Sequence, residues 1–506
     1  MKTKLYSLHF STIFLLICLF SLKIEAQDEF SLLTSIHGEK DGDNFINVDA
    51  IGDINGDEYA DFIVGDSGEY VKLYLGSSPF DTLNCIKFMQ GTRKRIYSSG
   101  CGAGDLNGDG YNDFVINSSY DYDDYRVYIY YGGKEIDTLP DITITNNGYR
   151  YDFGGRSISG DLNNDGFDDL LISAPNDYYD ARGRVYIYYG GAVMDTVCDV
   201  YLEGKEGFDM FGWSTCIVGD LNNDGFDDFV VGTPQDIKGG SGKAYLFFGG
   251  DSIGFYNSLE LIGNTSLAYN SYGRMVSGLG DINGDGFDDF GIMSLSYIDI
   301  FLGGNDISQQ NSYVLDSKTG FGFLGKLKDL NKDNFDDFVT VSEDINMFWG
   351  QESLDTTPDI QLNSWATPIN NIGDINGDGK DEITFSIGGG WSLSGIVNIY
   401  NYGKVDFIDN LLTTSPSDFT IRQNYPNPFN PSTTIKYQLP QDGLVTLKVY
   451  DVLGKEIATL VNEEKSAGEY KVEFDASKYQ LSSGVYFCEL KMKGGNSSRI
   501  KMVLIK

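Results

Sequence analysis

The stretch DLNNDGFDD, residues 161–169, decides the fold of this chain, because its pattern D-x-N-x-D-G-x-x-D recurs seven times. The seven copies, called acidic loops below, begin at Asp53, Asp105, Asp161, Asp220, Asp281, Asp329 and Asp374. Successive copies lie 52, 56, 59, 61, 48 and 45 residues apart. Around the third loop, runs such as DLLIS (169–173) and RVYIYY (184–189) are typical of short strands separated by Gly, Asn and Asp turns. This period and composition predict seven four-stranded propeller blades and not a helical solenoid.

The two ends of the repeat region predict how the ring closes. Residues 31–38 (SLLTSIHG) resemble the fourth strand of the other units, yet they precede the first acidic loop. The last unit lacks an obvious fourth strand after residues 396–400. We expect the N-terminal strand to complete the seventh blade, which removes an exposed sheet edge. Residues 405–411 are the alternative fourth strand.

Composition excludes several classes of function. The chain has 506 residues with 74 acidic and 37 basic side chains, a net charge of −37, so phosphate backbones are repelled and no nucleic-acid partner is expected. Histidine occurs only at His9 and His37, which leaves almost nothing for histidine-based catalysis or metal sites. With 14% aromatic residues and 62 glycines, the chain is expected to be globular and rich in turns.

Targeting signals and charge divide the chain into segments. Residues 1–26 are predicted to be a signal peptide, because Lys2 and Lys4 precede an apolar run, and cleavage is expected after Ala26. No other segment approaches membrane-spanning length. Residues 27–418 carry 22 basic and 64 acidic side chains, whereas residues 419–506 carry 12 basic and 9 acidic side chains. We therefore predict a propeller at 27–412, a linker at 413–418 and a second domain at 419–506.

Each acidic loop has the composition of a hard-cation site. Side-chain oxygens at positions one, three, five and nine and the main-chain carbonyl at position seven converge if Gly at position six allows a sharp turn. Such a flexible all-oxygen site suits calcium better than magnesium, with up to seven ions. The predicted ligands are Asp53, Asn55, Asp57, Tyr59, Asp61, Asp105, Asn107, Asp109, Tyr111, Asp113, Asp161, Asn163, Asp165, Phe167, Asp169, Asp220, Asn222, Asp224, Phe226, Asp228, Asp281, Asn283, Asp285, Phe287, Asp289, Asp329, Asn331, Asp333, Phe335, Asp337, Asp374, Asn376, Asp378, Lys380 and Glu382.

Two alternatives to this interpretation are an EF-hand and an ordinary turn. An EF-hand needs Glu at position twelve, which none of the seven loops has, and seven loops in register argue against metal-free turns. Three substitutions weaken individual loops: Glu58 and Asn334 replace the turn Gly, and Glu382 replaces the last Asp. Because Asn tolerates positive φ better than Glu, the first loop is expected to be the poorest site.

The loops and the residues around them resemble FG-GAP repeats of the integrin alpha-chain propeller. The resemblance rests also on Phe153-Gly154, Phe211-Gly212 and Ala174-Pro175, and it covers about residues 30–403. It implies a seven-bladed propeller with calcium loops on one face and partner recognition commonly on the other.

The C-terminal segment resembles a type A sorting domain of the type IX secretion system. The shared motifs are NYPNPFNP (424–431), VYD (449–451), SGVY (483–486) and the final KMVLIK (501–506). The resemblance implies a small β-sandwich that engages the type IX machinery, and a protein that is secreted or attached to the outer surface of a Gram-negative, Bacteroidota-like bacterium. Alternating apolar residues at 445–449 and 485–490 independently predict an all-β sandwich. A C-terminal adhesion domain is the alternative.

Tyrosine-rich connections predict a ligand surface on the face opposite the acidic loops. Tyr on rigid loops suits protein recognition and stacking on sugars, although these residues could also be simple loop fillers. The candidate residues are Tyr120, Tyr122, Tyr149, Arg150, Tyr151, Tyr178 and Tyr179.

Repeated Asp-Thr or Asp-Ser pairs occur before the fourth strands, as at Asp81-Thr82 and Asp137-Thr138. They resemble the O-glycosylation motif of exported Bacteroidota proteins, but local side-chain hydrogen bonds also favour short Asp-Thr turns, and this structural interpretation is preferred.

The cysteines suggest two disulfides in an oxidising compartment, Cys85 with Cys101 and Cys198 with Cys216, because each pair recurs before an acidic loop. The distance between an outer and an inner strand argues against this pairing.

Two functions are compatible with these features. The first is an exported calcium-binding propeller that acts as a binding or adhesion scaffold for a protein or glycan. The alternative is a polysaccharide-binding or lyase-like enzyme, against which stands the lack of a nucleophile elbow, a zinc signature and a histidine triad.

Overall fold

A computed structural model describes residues 30–39, 47–65, 70–89, 100–120, 124–145, 153–176, 181–234, 240–264, 266, 270–304, 307, 313–316, 322–362, 368–387, 395–403, 420–421, 429–439, 443–452, 455–465, 468–479, 481–492 and 497–505. The predicted signal peptide and linker lie outside these residues. The chain divides into two compact units, residues 1–408 and 409–506. Among the described residues, no helix is long and apolar enough to cross a membrane.

The first unit consists of seven four-stranded antiparallel sheets, the blades. Blade 1 contains β2 (Asn47–Gly52), β3 (Asp61–Gly65), β4 (Tyr70–Tyr74) and β5 (Cys85–Met89), and blade 2 contains β6 (Gly100–Gly104), β7 (Asp113–Tyr120), β8 (Asp124–Tyr130) and β9 (Ile142–Thr145). Blade 3 contains β10 (Ser157–Gly160), β11 (Asp169–Ala174), β12 (Arg184–Tyr188) and β13 (Val200–Glu203), and blade 4 contains β14 (Ser214–Gly219), β15 (Asp228–Thr233), β16 (Lys243–Phe247) and β17 (Ser258–Ile262). Blade 5 contains β18 (Met275–Gly280), β19 (Asp289–Met293), β20 (Tyr297–Phe301) and β21 (Tyr313–Asp316), and blade 6 contains β22 (Phe323–Lys328), β23 (Asp337–Val341), β24 (Ile345–Phe348) and β25 (Ile360–Leu362).

Blade 7 closes the ring with a strand from the beginning of the chain. Its sheet is β1 (Phe30–His37), β28 (Ile396–Tyr402), β27 (Glu382–Ile387) and β26 (Ile369–Gly373), in that order. The antiparallel register of β1 and β28 runs from Phe30 opposite Tyr402 to His37 opposite Ile396. The expected N-terminal closing strand is therefore confirmed, and the alternative at 405–411 lies outside the described residues. Each innermost strand contacts that of the next blade, and β26 contacts β2, which completes the circle.

The core lies between the faces of adjacent blades. The second strand of each blade is almost wholly buried, as in β3 and β15, because it has a blade on both sides. Five blades repeat one stacked aromatic pair across their second and third strands, with ring centroids 4.8 to 5.2 Å apart. The pairs are Phe62–Tyr74, Phe114–Tyr130, Phe229–Phe247, Phe290–Phe301 and Phe338–Phe348. Such cross-strand aromatic pairs fix the strand register and bury large apolar areas.

The second unit is a sandwich of two antiparallel sheets. One sheet has the order β29 (Thr420–Ile421), β30 (Ser432–Leu439), β33 (Gly468–Asp475), and the other has β32 (Glu456–Lys465), β31 (Gly443–Tyr450), β34 (Gly484–Met492), β35 (Ser497–Leu504). Both sheets contribute to one hydrophobic core, with Ile435 and Phe474 from the first packed in the same cluster as Leu447 and Leu490 from the second. The predicted all-β sandwich is confirmed.

Neither predicted disulfide is present in this structure, where Cys85, Cys101, Cys198 and Cys216 are all free thiols. Cys85 lies on β5, the outermost strand of blade 1, whereas Cys101 lies on β6, the innermost strand of blade 2. Cys198 likewise precedes an outermost strand, and Cys216 lies on the innermost strand β14. Three strand spacings amount to about 14 Å, while a disulfide requires Cα atoms within about 7 Å.

Candidate metal centres

All seven acidic loops occupy the same place in their blades, between the first and second strands. In blade 2, β6 ends at Gly104, Asp105 begins the loop, and Asp113 at position nine is the first residue of β7. Because this connection is the same in every blade, the seven loops lie on one face of the ring. The opposite face, where the second strand of each blade ends and the third begins, is called the far face below.

The carboxylate at position one organises each loop by accepting backbone N–H groups. In the second loop, Asp105 Oδ1 accepts hydrogen bonds from Gly108 N (2.7 Å) and Asp109 N (3.1 Å), and its Oδ2 accepts one from Gly110 N (2.8 Å). The bonds from the amides of positions five and six recur in all seven loops. The short Asp side chain thus substitutes for missing main-chain partners in a tight turn.

The oxygens of positions one, three and five converge on the inside of this turn. Asn107 Oδ1 accepts a hydrogen bond from Asp109 N (2.8 Å), the same amide that Asp105 Oδ1 contacts, so the two oxygens are close neighbours. Asn107 Nδ2 donates to Asp109 Oδ2 (3.0 Å), and Asp109 Oδ1 accepts from Tyr111 N (3.0 Å). These residues therefore stand within a few ångströms of one another, as a cation site requires.

The backbone passes through the left-handed region at position six, as the turn Gly predicted. Its φ is 88° at Gly110 and 87° at Gly166. Glu58 (71°) and Asn334 (75°) take the same conformation, so the first and sixth loops keep their path at the cost of strain in a residue with a Cβ.

Position four is left-handed as well, which the nine-residue pattern did not predict. Its φ lies between 55° and 75° in all seven loops, at Gly56, Gly108, Asn164, Asn223, Gly284, Lys332 and Gly377. The signal was available, because six of these seven residues are Gly or Asn.

Position nine has a structural role that sequence reasoning also missed. Asp113 is fully buried, and its Oδ2 accepts a hydrogen bond from Leu106 N (2.9 Å) while its Oδ1 accepts one from Gly132 N (2.8 Å). The carboxylate thereby ties the start of the loop to the end of the third strand. Five further blades repeat both contacts through Asp61, Asp169, Asp228, Asp289 and Asp337. In the seventh, Glu382 accepts instead from Ile375 N (2.9 Å) and Asn376 Nδ2 (2.7 Å).

Burial shifts the ionisation of these carboxylates. Desolvation, together with the carboxylates at positions one and five, raises the pKa of Asp113 to about 7 and that of Asp289 to about 8. A cation among the three carboxylates would oppose both effects, since it supplies the missing positive charge.

The donor set of the loops fits a calcium ion. Among the described residues, no group of three or more His, Cys, Asp or Glu side chains forms a metal site by itself. Each loop instead offers a mixed set of Asp carboxylates, an Asn amide and the main-chain carbonyl at position seven, all oxygen donors of the kind that hard cations prefer.

Position eight and the adjoining main chain join neighbouring blades. Asp168 Oδ2 accepts a hydrogen bond from Asp105 N of the preceding loop (2.8 Å), and Asp227 Oδ2 accepts one from Asp161 N (3.1 Å). At the ring closure, Ala60 N donates to Asp374 O and Ser77 N to Ile375 O, both at 2.9 Å. Hydrogen bonds of this kind therefore join the acidic loops of neighbouring blades at several places around the ring.

The other predicted surface features are only partly described. Tyr120 ends β7 on the far face, and the remaining predicted ligand residues Tyr122, Tyr149, Arg150, Tyr151, Tyr178 and Tyr179 lie outside the described residues. The Asp-Thr pairs form local turns, because Asp81 Oδ1 accepts a hydrogen bond from Leu83 N (2.9 Å) and Asp137 Oδ1 one from Leu139 N (2.7 Å). These bonds account for the repeated pair by local geometry.

Comparison with known proteins identifies both units. The FG-GAP repeat family matches residues 97–130, 153–188 and 211–247, and the family described as secretion system C-terminal sorting domain matches residues 423–506. The chain is 32% identical over 165 residues to integrin alpha-7 of Mus musculus, covering 31% of this chain and 13% of that protein. It is 36% identical over 146 residues to integrin alpha-5 of Xenopus laevis, and this match covers 27% of this chain and 14% of that protein. The chain thus spans about a seventh of the length of the curated relatives that it matches.

One solved structure, of BBS1N in complex with ARL6DN, superposes with a TM-score of 0.44 at 10% identity, covering 74% of this chain and 97% of that one.

The fold and the matches define the class of protein, an exported β-propeller built from repeats. More specifically, it is an integrin alpha-like FG-GAP repeat propeller that ends in a C-terminal sorting domain of the type IX secretion system.

Proposed function

We propose that this protein is a calcium-binding scaffold that presents a binding or adhesion surface outside the cell. The observation that carries the proposal is the sevenfold recurrence of one loop geometry, with oxygens of positions one, three and five gathered beside a buried carboxylate. Repulsion among three carboxylates opposes folding of each loop unless a cation is bound. We therefore assign up to seven calcium ions to the loops, with the predicted residues at positions one, three, five, seven and nine as ligands.

The role of calcium in this proposal is to stabilise the ring. The loops bond to one another from blade to blade, so an ion that stiffens one loop also supports the contact with the next. Ligand recognition is assigned to the far face, on the sequence-based prediction that the tyrosine-rich connections form the ligand surface.

A binding role is favoured over catalysis because the ionisable groups of the propeller are engaged in structural contacts or lie at its edge. The buried carboxylates with raised pKa values are occupied in holding backbone amides. His37, the histidine that remains after the predicted signal peptide, lies exposed on β1 at the outer edge of blade 7. Turnover assays on any glycan that the chain binds test this point, and product formation would contradict it.

The C-terminal unit serves export in this proposal. The boundaries 27–412 for the propeller and 419–506 for the sorting domain leave each unit its own core, and delivery follows from a signal peptide at 1–26 and engagement of the type IX machinery. The protein is then secreted or attached to the outer surface of a Gram-negative, Bacteroidota-like cell.

Calorimetric titration with calcium tests the central assignment. The purified chain, freed of metal by chelation, is expected to take up several calcium ions, and Asp109→Asn at position five is expected to take up fewer. Asp137→Asn is the matched control, because it removes an exposed carboxylate from a turn on the same face of the ring. No uptake of calcium, or equal loss in both variants, would contradict the proposal.

A further inference from the structure

A cavity of about 250 Å³ opens on the far face. Its walls come from three blades: Ser118 and Tyr125 from blade 2, Phe153 to Arg156 and Pro175 from blade 3, and Trp213 from blade 4. Arg156 and Trp213 each directly precede an innermost strand, β10 and β14. The cavity is thus separated from the acidic loops by the length of the inner strands.

The backbone holds the cavity walls rigidly. Arg156 N donates to Ser173 Oγ (3.0 Å), Ser173 N donates to Arg156 O (2.9 Å), and Trp213 N donates to Met210 O (3.0 Å). Gly154 has a φ of 78°, and a Cβ there would meet Val127 Cγ2 at 3.0 Å, so the wall has room only for glycine. A preformed site of this kind loses little entropy when it binds.

The guanidinium of Arg156 is the charged group of the cavity. Among the described residues it makes no hydrogen bond and no ion pair, and Arg156 as a whole is exposed to solvent. Asp49 forms no ion pair with it among the described residues, and desolvation raises the pKa of Asp49 to about 8. The guanidinium of Arg156 is therefore available to an anionic group that enters the cavity.

A second unpartnered group points to a polar ligand. Ser118 is 3% exposed, and its hydroxyl has no hydrogen-bond partner in the described structure. Buried hydroxyls are nearly always paired, so such an exception at a cavity wall indicates a group supplied from outside.

The remaining walls are aromatic. Phe153 and Tyr125 are buried, Phe153 packs edge-on against Tyr186 at 5.6 Å, and Trp213 is half-buried at the cavity. Aromatic faces of this kind stack on rings, while a guanidinium binds carboxylates through two parallel hydrogen bonds.

We propose that this cavity binds one carboxylate-bearing sugar, a uronate residue of an acidic glycan, with Arg156 on the carboxylate, Trp213 against the sugar ring and Ser118 on a hydroxyl. The volume suits one sugar ring. An acidic peptide side chain would satisfy Arg156 but would leave the aromatic walls unused. This inference rests on the proposed binding function of the far face and names its ligand class.

The test is calorimetric titration of the calcium-loaded chain with a short oligoglucuronate, its carboxyl-reduced neutral counterpart and an oligoglutamate peptide. We expect the oligoglucuronate to bind at least about tenfold more tightly than the other two. Arg156→Gln should weaken oligoglucuronate binding about tenfold or more, Arg156→Lys less, and Trp213→Ala severalfold. Arg184→Gln is the matched control and should bind as the parent does, because Arg184 pairs with Glu203 on blade 3.

Equal binding of the neutral oligosaccharide, or unchanged binding by both Arg156 variants, would overturn the proposal. Preferential binding of oligoglutamate would overturn the sugar assignment. Absence of oligoglucuronate binding by a chain that still takes up calcium and melts normally would overturn the cavity assignment while leaving the calcium scaffold intact. Absence of calcium uptake would instead refute the proposed function itself.

Discussion

Two substitutions in the second acidic loop separate the structural role of the carboxylate at position nine from metal binding at position five. Asp113→Ala at position nine removes a buried acceptor and leaves two backbone amides, Leu106 N and Gly132 N, without their partner. Each unsatisfied buried amide costs about 1 to 3 kcal/mol, so we expect a loss of about 4 kcal/mol in the free energy of unfolding. At least this loss should occur in chelator, because the two backbone hydrogen bonds do not depend on the metal.

Asp109→Ala at position five behaves differently, because Asp109 is exposed and mainly contacts its own loop. With an affinity of about 10⁻⁴ M for an extracellular module and about 1 mM calcium, one site contributes about 1.4 kcal/mol. We expect Asp109→Ala to lose about this much more stability in calcium than in chelator.

Scanning calorimetry in calcium and in chelator measures both effects. For a unit of roughly 400 residues, 1 kcal/mol corresponds to a change of about 1.2 °C in Tm, so the expected decreases are about 5 °C for Asp113→Ala and about 2 °C, in calcium only, for Asp109→Ala. An Asp109→Ala loss that is equal in calcium and in chelator would refute the metal role of position five. An undiminished Tm in Asp113→Ala would refute the structural role of position nine.

Further predictions concern the whole ring, one strained loop, the thiols and export. Chelation of all sites should remove up to about 10 kcal/mol of stability, and about half of that if the first, sixth and seventh loops bind weakly; identical melting curves in calcium and chelator would contradict this. Glu58→Gly should raise the free energy of unfolding by about 1 kcal/mol, because Glu58 has a φ of 71°, a left-handed conformation that strains a residue with a Cβ. The reverse change Gly110→Glu should lower the free energy of unfolding by a similar amount. Denaturant titration of both variants measures these two changes. Thiol labelling of the unfolded, unreduced chain should modify Cys85, Cys101, Cys198 and Cys216, and protection of any pair would restore the disulfide hypothesis. A chain truncated before residue 419 should fold but remain in the periplasm, and its efficient delivery to the cell surface would argue against the sorting assignment.

The sequence by itself determined the repeat, the number of blades, the closing strand and the C-terminal sandwich. These features depend on local signals that recur, such as the turn Gly at position six and the alternating apolar residues of β31 and β34. Repetition averages out the ambiguity of any single short strand, and ring closure could be predicted because the last repeat lacks the fourth strand that the N-terminal segment supplies.

Only the tertiary structure decided which atoms each acidic side chain contacts. Asp109 and Asp113 are the same residue type four positions apart, yet one is exposed in the loop and the other is buried against Gly132, nineteen residues further along the chain. The position-eight contact between Asp168 and Asp105 depends on the neighbouring blade, as does the gathering of Arg156, Trp213 and Ser118 around one cavity. The predicted cysteine pairing was wrong for the same reason. Cysteines that are close in sequence can lie on strands that are far apart, one at the centre of the ring and the other at its rim.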